Sequence, residues 1–354
     1  MESTVSKKAD LYQRNNRVRY VDIARGISII CIILGHLGVS SINRFVFTFH
    51  VPVFFLISGY FFDEKSNWKV FTGKKVKTLI IPYVTACLLI IISAVFFNQI
   101  LNQGLGDKAV IKSWIGAALY GAGDNYSKPF VIKGIGAIWF LLAMFWASLM
   151  MKLLLGIRNE FRFLIVLAIF FIADWSRKRF FWFPLSIQAG GTALLFIYIG
   201  YLSKYLITIF RQIENSMKFV LLGFAAWVWI EFIINFKSFW LVHCDHGRGV
   251  VDIFGSLCGS VCILSISYLI DNKTILLSRG LAFLGKYSLL MLCMHIIELD
   301  TINWRWLLKY ALPFIPDQSL LAFIITGKLI WCIGLTYLLS KWNFTRRLFG
   351  YSSR

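Results

Sequence analysis

Runs of about 20 apolar residues, the length needed to cross roughly 30 Å of hydrocarbon, recur along the whole chain. They can be read at 20–40, 45–62, 78–101, 135–155, 162–174, 185–203, 217–236, 250–270, 281–298 and 318–340. At this length such runs leave helices as the fold, because hydrocarbon offers no partner to a backbone N–H or C=O and a helix satisfies both internally. The expectation is an all-α integral membrane protein of about ten transmembrane helices. A 354-residue chain that is 58% hydrophobic, with 33 Phe and 13 Trp, is too apolar for a water-soluble domain of this length. Two segments are less regular. Residues 162–174 form a short run, and 185–203 begins after Pro184 and contains Gly190 and Gly191, so each is also readable as a half-helix buried in protein.

A formal net charge of +20 would suggest a nucleic-acid partner in a soluble protein. Here the basic residues follow the membrane instead. Lys7, Lys8, Arg14, Arg17 and Arg19, then Lys65, Lys69, Lys74, Lys75 and Lys77, and later Arg346, Arg347 and Arg354 fall in segments that a ten-span topology puts on the cytoplasmic side. Both termini are therefore expected in the cytoplasm, as tails at 1–19 and 341–354 flanking a transmembrane domain at 20–340. The expected surroundings are the lipids of the cell membrane, with no nucleic acid. Arg177, Lys178 and Arg179 run against this pattern, on the outer side. The first apolar run lacks a small-residue cleavage site and is expected to stay in the mature chain. The seven cysteines fall mostly inside spans and are read as small packing residues.

An ionisable side chain at membrane depth is costly and marks a functional site by default. Those in this chain are Asp22, Arg25, His36, His50, Glu231, His295, Glu298 and Lys328. Arg25 and His36 are eleven residues apart, about 1100° around a helix and about 16 Å along it, so they share one face. Asp22, one turn below, can pair with Arg25. Arg25 could alternatively snorkel to the inner surface, with His36 a residue of the outer interface. His50 lies about as far after the turn near 40–43 as His36 lies before it, which puts the two imidazoles at similar depth. Pro52 deprives the Thr48 carbonyl of its helical hydrogen bond and Ser58-Gly59 permits a close helix approach, so the second span is expected to bend beside a cavity. A hydroxyl needs a base with a pKa near 7 to become a nucleophile, and imidazole meets that need. His36 is the candidate, either as a base or as a nucleophile itself. His50 could orient His36, hold an acceptor, bind an oxyanion or simply satisfy a carbonyl.

The segments RYVDIARGISIICIILGH and FTFHVPVFFLISGYFF together resemble the start of the acyltransferase family 3 membrane proteins, in particular the branch of fucose 4-O-acetylases and other polysaccharide O-acetyltransferases. GAIWFLLAMFW at 136–146 is similar to that family's Gly-x-x-Trp-Phe-Leu helix, and LGKYSLLMLCMH at 284–295 to its late Leu-Gly-Lys-x-Ser-Leu segment ending in His. The resemblance implies acyl transfer from cytoplasmic acetyl-CoA, or another acyl-CoA, to a hydroxyl of a glycan or lipid-linked saccharide. It implies His36 in the catalytic position and Arg25, supported by Asp22, serving the donor, whose phosphates suit a guanidinium fork. A polysaccharide synthase or exporter is a possible partner. Succinyl transfer, or a carrier of polysaccharide intermediates, remains the alternative.

The remaining candidates are acceptor-side. Ser58, Trp139, His295 and Glu298 are expected to line the pocket, the last two as an i, i+3 pair. Glu231 and Lys328 are read either as partners across helices or as residues facing an aqueous cavity. The outer HCDHGRG at 243–249 crowds His, Cys, Asp and His without familiar zinc spacing, so no metal is expected, and Asp245, His246 and Arg248 are assigned to sugar or headgroup contacts. Trp175, Trp182, Trp240, Trp304 and Trp306, with Trp139, are read as an aromatic belt.

Overall fold

The computed structural model describes residues 18–100, 106–311, 314 and 316–351. The N-terminal tail through Arg17, with its basic residues, lies outside them, as does Arg354. The described chain is helical, with two isolated β-bridges and no strand. In order, the helices are α1 (Arg19–Gly35), α2 (Ser40–Val46), α3 (His50–Tyr60), α4 (Trp68–Lys75), α5 (Ile81–Ile100), α6 (Asp107–Tyr120), α7 (Trp139–Leu154) and α8 (Asn159–Arg179). They continue as α9 (Ile187–Gln212), α10 (Asn215–Ile234), α11 (Val250–Lys273), α12 (Ile275–Lys286), α13 (Ser288–Thr301), α14 (Trp304–Ala311), α15 (Asp317–Ser340) and α16 (Asn343–Leu348).

Among the described residues seven helical segments are long and apolar enough to cross a membrane, or eight if the bent pair α12–α13 is one span. The chain is a multi-pass membrane protein. Two of the ten apolar runs fall outside that set for different reasons. Helix α1 has 17 residues, and α8, though 21 residues long, carries Glu160, Arg162, Asp174 and the Arg177–Arg179 cluster. Neither irregular run is a half-helix: α8 and the 26-residue α9 are both continuous. The broken span is instead the one read at 281–298, which bends by 72° between α12 and α13, at Tyr287. The second span is also interrupted. Residues 47–49 form a turn, so Pro52 sits in the first turn of a new helix, α3, where a missing N–H costs nothing, and not inside a single bent one.

Two pairs of glycines bring four helices into backbone contact. A Cβ on Gly26 of α1 would stand 2.1 Å from the Leu281 carbonyl oxygen of α12, and one on Gly285 would stand 1.7 Å from that of Asp22. Gly59 of α3 and Gly200 of α9 are reciprocal in the same way, against the carbonyls of Ile197 and Leu56 at 2.0 and 2.1 Å. Contact this close needs hydrogen as the side chain at each crossing and lets dispersion act between backbones, the main attraction available between helices in lipid. Ser58-Gly59 is thus a close approach, as its sequence implies. The seven cysteines are buried and free. Large apolar side chains such as Leu88, Ile92, Phe219, Trp227 and Ile330 point outward, as a lipid-facing surface requires.

Replacing Gly26 by Val should therefore force α1 and α12 apart, at a cost of about 1–3 kcal/mol. Gly280→Ala on the same α12, where the added carbon meets nothing within 4 Å, is the control. Thermal unfolding in detergent should show a lower midpoint for Gly26→Val and an unchanged one for Gly280→Ala; equal midpoints would refute the crossing as a source of stability.

Candidate active site

Helix α1 ends at Gly35, and His36 is its C-terminal cap. The His36 imidazole turns back on its own helix, with Nδ1 2.8 Å from the carbonyl oxygen of Ile32. His50, the first residue of α3, repeats the arrangement, its Nδ1 lying 2.5 Å from the carbonyl oxygen of Val46. A carbonyl only accepts, so Nδ1 carries the proton in both rings and Nε2 holds the lone pair. Both histidines line one cavity of about 440 Å³. Two imidazoles of the same tautomer thus share one chamber.

Behind His36 lies a buried chain of charges. His295 of α13 brings its Nε2 to 3.4 Å from His36 Nδ1, and its Nδ1 to 2.8 Å from Glu298 Oε1. Lys328 of α15 donates to both Glu298 oxygens at 2.9 Å, and Trp304 Nε1–H donates to Oε2. His295 and Glu298 are fully buried, and Lys328 nearly so. The proton assignments close without conflict. Glu298, paired with an ammonium, only accepts, so His295 Nδ1 is the donor and its Nε2 accepts from the His36 Nδ1–H shared with Ile32. The free position at the end of the chain is His36 Nε2, which has no hydrogen-bond partner among the described residues. A proton taken up there would be stabilised through His295 by Glu298, in the way that a carboxylate supports a base through an imidazole in hydrolytic triads.

His295, Glu298 and Cys332 bring ligand atoms within 4.8 Å of one another. The grouping does not suit a metal, because the Lys328 ammonium already holds both Glu298 oxygens and supplies the positive charge a cation would bring.

Other sequence-stated candidates are distributed differently. Trp139 lines the cavity; Ser58, His295 and Glu298 are absent from its lining, the first in the helix crossing and the other two behind His36. Arg25 approaches Asp22, Nη1 to Oδ1 3.4 Å, as the spacing implied, and neither lines the cavity. Glu231 and Lys328 are not partners and face no shared chamber. Glu231 pairs with Arg248, which also holds Asp252, whereas Lys328 belongs to Glu298. Arg248 is thus committed within the protein.

The HCDHGRG ligands are divided in the same way. His243 contacts Tyr126 OH and Asp124, Cys244 accepts from Thr192, and the His246 ring packs on Phe170. Arg177 and Lys178 fold onto Asp174. The tryptophans do not form one belt either: Trp139 and Trp182 are buried, Trp240 lines the cavity and Trp304 binds Glu298, leaving Trp175 and Trp306 exposed. Sequence reading missed four polar cavity residues, Asn43, Asp124, Asn125 and Asp300. Each sits at a helix end or in a loop beyond the apolar runs, where a polar residue needs no explanation and so draws no notice.

No curated protein and no solved structure matches this chain. A family model described as an acyltransferase domain matches residues 18–341, from the start of α1 to the end of α15. That interval contains the cavity, both histidines and the buried charge chain, and the chain belongs to the acyltransferase 3 family of membrane proteins.

Proposed function

We propose that this protein transfers an acetyl group from cytoplasmic acetyl-CoA to a hydroxyl of a cell-surface glycan or its lipid-linked precursor, in the manner of the polysaccharide O-acetyltransferases. The observation that carries the reading is the open Nε2 of His36 at the end of the Lys328–Glu298–His295 chain, on the wall of a cavity able to hold a sugar ring. In this reading α1 and α8 also cross the bilayer, giving ten spans in the cell membrane with both termini in the cytoplasm.

The step balances as follows. The acceptor hydroxyl oxygen forms a bond to the thioester carbonyl carbon while His36 Nε2 takes its proton. The carbon–sulfur bond then breaks, and the departing thiolate takes the proton back from the imidazolium. General-base help of this kind is typically worth about 10² to 10⁴ in rate. His50, with a second free Nε2 in the same chamber, is suited to accept a hydrogen bond from the sugar and fix its orientation. Arg25 stands on the same α1 helix, about 16 Å along its axis toward the N-terminal end. Its fork suits the phosphates of the donor, whose pantetheine arm would run up α1 to bring the thioester to His36.

Membranes carrying the protein, incubated with labelled acetyl-CoA and host glycan, should label the glycan, and His36→Ala should lower that rate by about 10²-fold or more. Equal labelling by equally expressed His36→Ala protein would sink the assignment. Arg25→Lys keeps the charge but loses the fork, and should raise the KM for acetyl-CoA about tenfold with a smaller effect on kcat. An unchanged KM would remove Arg25 from the donor site.

The support behind His36 is tested by removing both buried charges together, since Glu298→Gln alone would strand the Lys328 ammonium. Glu298→Gln/Lys328→Met should lower kcat by about 10²-fold with little change in either KM. Loss of affinity without loss of kcat would mean that Glu298 acts on binding and not on the base.

A further inference from the structure

The cavity beside His36 has an unusual inventory of polar atoms. Among the described residues its lining holds two acids, Asp124 and Asp300, and no Lys or Arg. The other polar side chains are His36, His50, Asn43 and Asn125, with the indole N–H groups of Trp139 and Trp240. Both imidazoles present lone pairs, as derived above. Asn43 adds a carboxamide oxygen that is buried and has no hydrogen-bond partner among the described residues. Among the described residues no group bonds His50 Nε2, which faces the same chamber. Buried polar atoms without partners are rare in native proteins, and the Asn43 oxygen on the cavity wall marks a place where a ligand completes the bonding.

Nearby positive charge is diverted from the chamber. Lys133, the cation that acts on Asp300, lies over the face of Trp114, its Nζ 3.3 Å from the ring centroid. His243 donates from Nε2 to Asp124 at 3.2 Å while its Nδ1 faces the Tyr126 hydroxyl at 3.0 Å. Burial holds the His243 imidazole below its ordinary pKa, so it is neutral near pH 7 and leaves the Asp124 charge uncancelled. Among the described residues the chamber thus offers several hydrogen-bond acceptors, and its wall carries acids but no Lys or Arg.

We infer that this cavity selects an uncharged sugar as the acceptor and excludes acceptors that carry a carboxylate, phosphate or sulfate. The inference rests on the acyltransferase reading for why a hydroxyl compound should enter at all, and it narrows that reading to one chemical class. Neutral sugars present a ring of O–H donors, which carboxylates, amide oxygens and imidazole nitrogens accept. Asp124, Asp300 and Asn43 hold the ring, and His50 and His36 meet the hydroxyl nearest the reaction. An acidic sugar would bring a second negative charge against Asp124 with no Lys or Arg on the described wall to pair with it, and rejection by such an unpaired contact is a strong source of specificity.

Matched pairs of disaccharides test the point, each neutral gluco-, galacto- or manno-disaccharide set against the form oxidised to carboxylate at C6. Binding to the purified protein in detergent is read by saturation-transfer NMR, which needs no turnover, and acetyl transfer from acetyl-CoA is read separately by mass spectrometry. The expected result is that neutral members bind at least about tenfold tighter than their carboxylated partners. Asp124→Asn and Asp300→Asn should each narrow that gap by weakening the neutral sugar and admitting the acidic one. Asn43→Ala, which adds no charge change, should weaken the neutral sugar and leave the discrimination in place. Each variant must first elute as the wild-type protein does. Carboxylated sugars binding as well as neutral ones, no neutral disaccharide binding, or a preference untouched by both Asp substitutions would overturn the inference. Preferential neutral binding without acetyl transfer to any sugar would leave the preference standing and overturn the acyltransferase reading instead.

Discussion

The pairing of Lys328 with Glu298 is the interaction on which the site depends. Two full charges are held where neither reaches water, and the arrangement is tolerable only because each neutralises the other and their remaining hydrogen bonds are made, by His295 and Trp304. Hydrophobic residues of similar size would hold three helices together at lower cost, so the pair is better explained by what it does to its neighbour. Glu298 fixes the His295 tautomer, His295 in turn presents a lone pair to His36, and the outcome is a neutral imidazole whose only open nitrogen is on the reaction side. The electrostatic support is already in place before substrate arrives, which is the condition under which it assists a proton transfer most.

That pairing needs α1, α13 and α15 in fixed positions, and the glycine crossings supply much of the constraint. The Gly26–Gly285 contact locks α1 to α12 beside Arg25 and one turn from Asp22, and the 72° bend at Tyr287 then carries the chain into α13, across to His36. The Gly59–Gly200 contact locks α3 to α9. Because α3 begins at His50, that crossing also sets where the second imidazole stands. Each close helix approach thus serves one histidine. Two broken segments, the turn at 47–49 whose Phe47 lines the cavity and the bend at the buried Tyr287, interrupt the helices where protein surrounds them, as hydrocarbon demands.

Local pattern and distant pairing were not equally legible in the sequence. Hydropathy marked the helices, and helical arithmetic put Asp22 beside Arg25 and His295 beside Glu298, because those relations are contained within one turn of one helix. The resemblance of RYVDIARGISIICIILGH to its family survived as membership over 18–341. Partners drawn from different helices did not emerge: Lys328 was as compatible with Glu231 as with Glu298, since a sequence states which charges must be compensated but not by which neighbour. Interruptions were misread for a related reason. The paired glycines of α9 looked like a break and are absorbed by a continuous helix packed on α3 and α7, with Pro184 lying before its start, whereas the real break at Tyr287 has no proline and no run of small residues to announce it.

Asn43, Asp124 and Asp300 were invisible for the opposite reason: outside the apolar runs they carry no cost that would draw attention. Their meaning comes only from convergence, when α2, the loop after α6 and the last turn of α13 meet around one chamber. The residues proposed for catalysis and for selection therefore left different traces here. His36, His295, Glu298 and Lys328 lie in or at the ends of apolar runs, where ionisable groups are expensive and conspicuous. The polar groups proposed to meet the acceptor lie outside the apolar runs, where polarity is free, so they can vary without disturbing the charge chain behind His36.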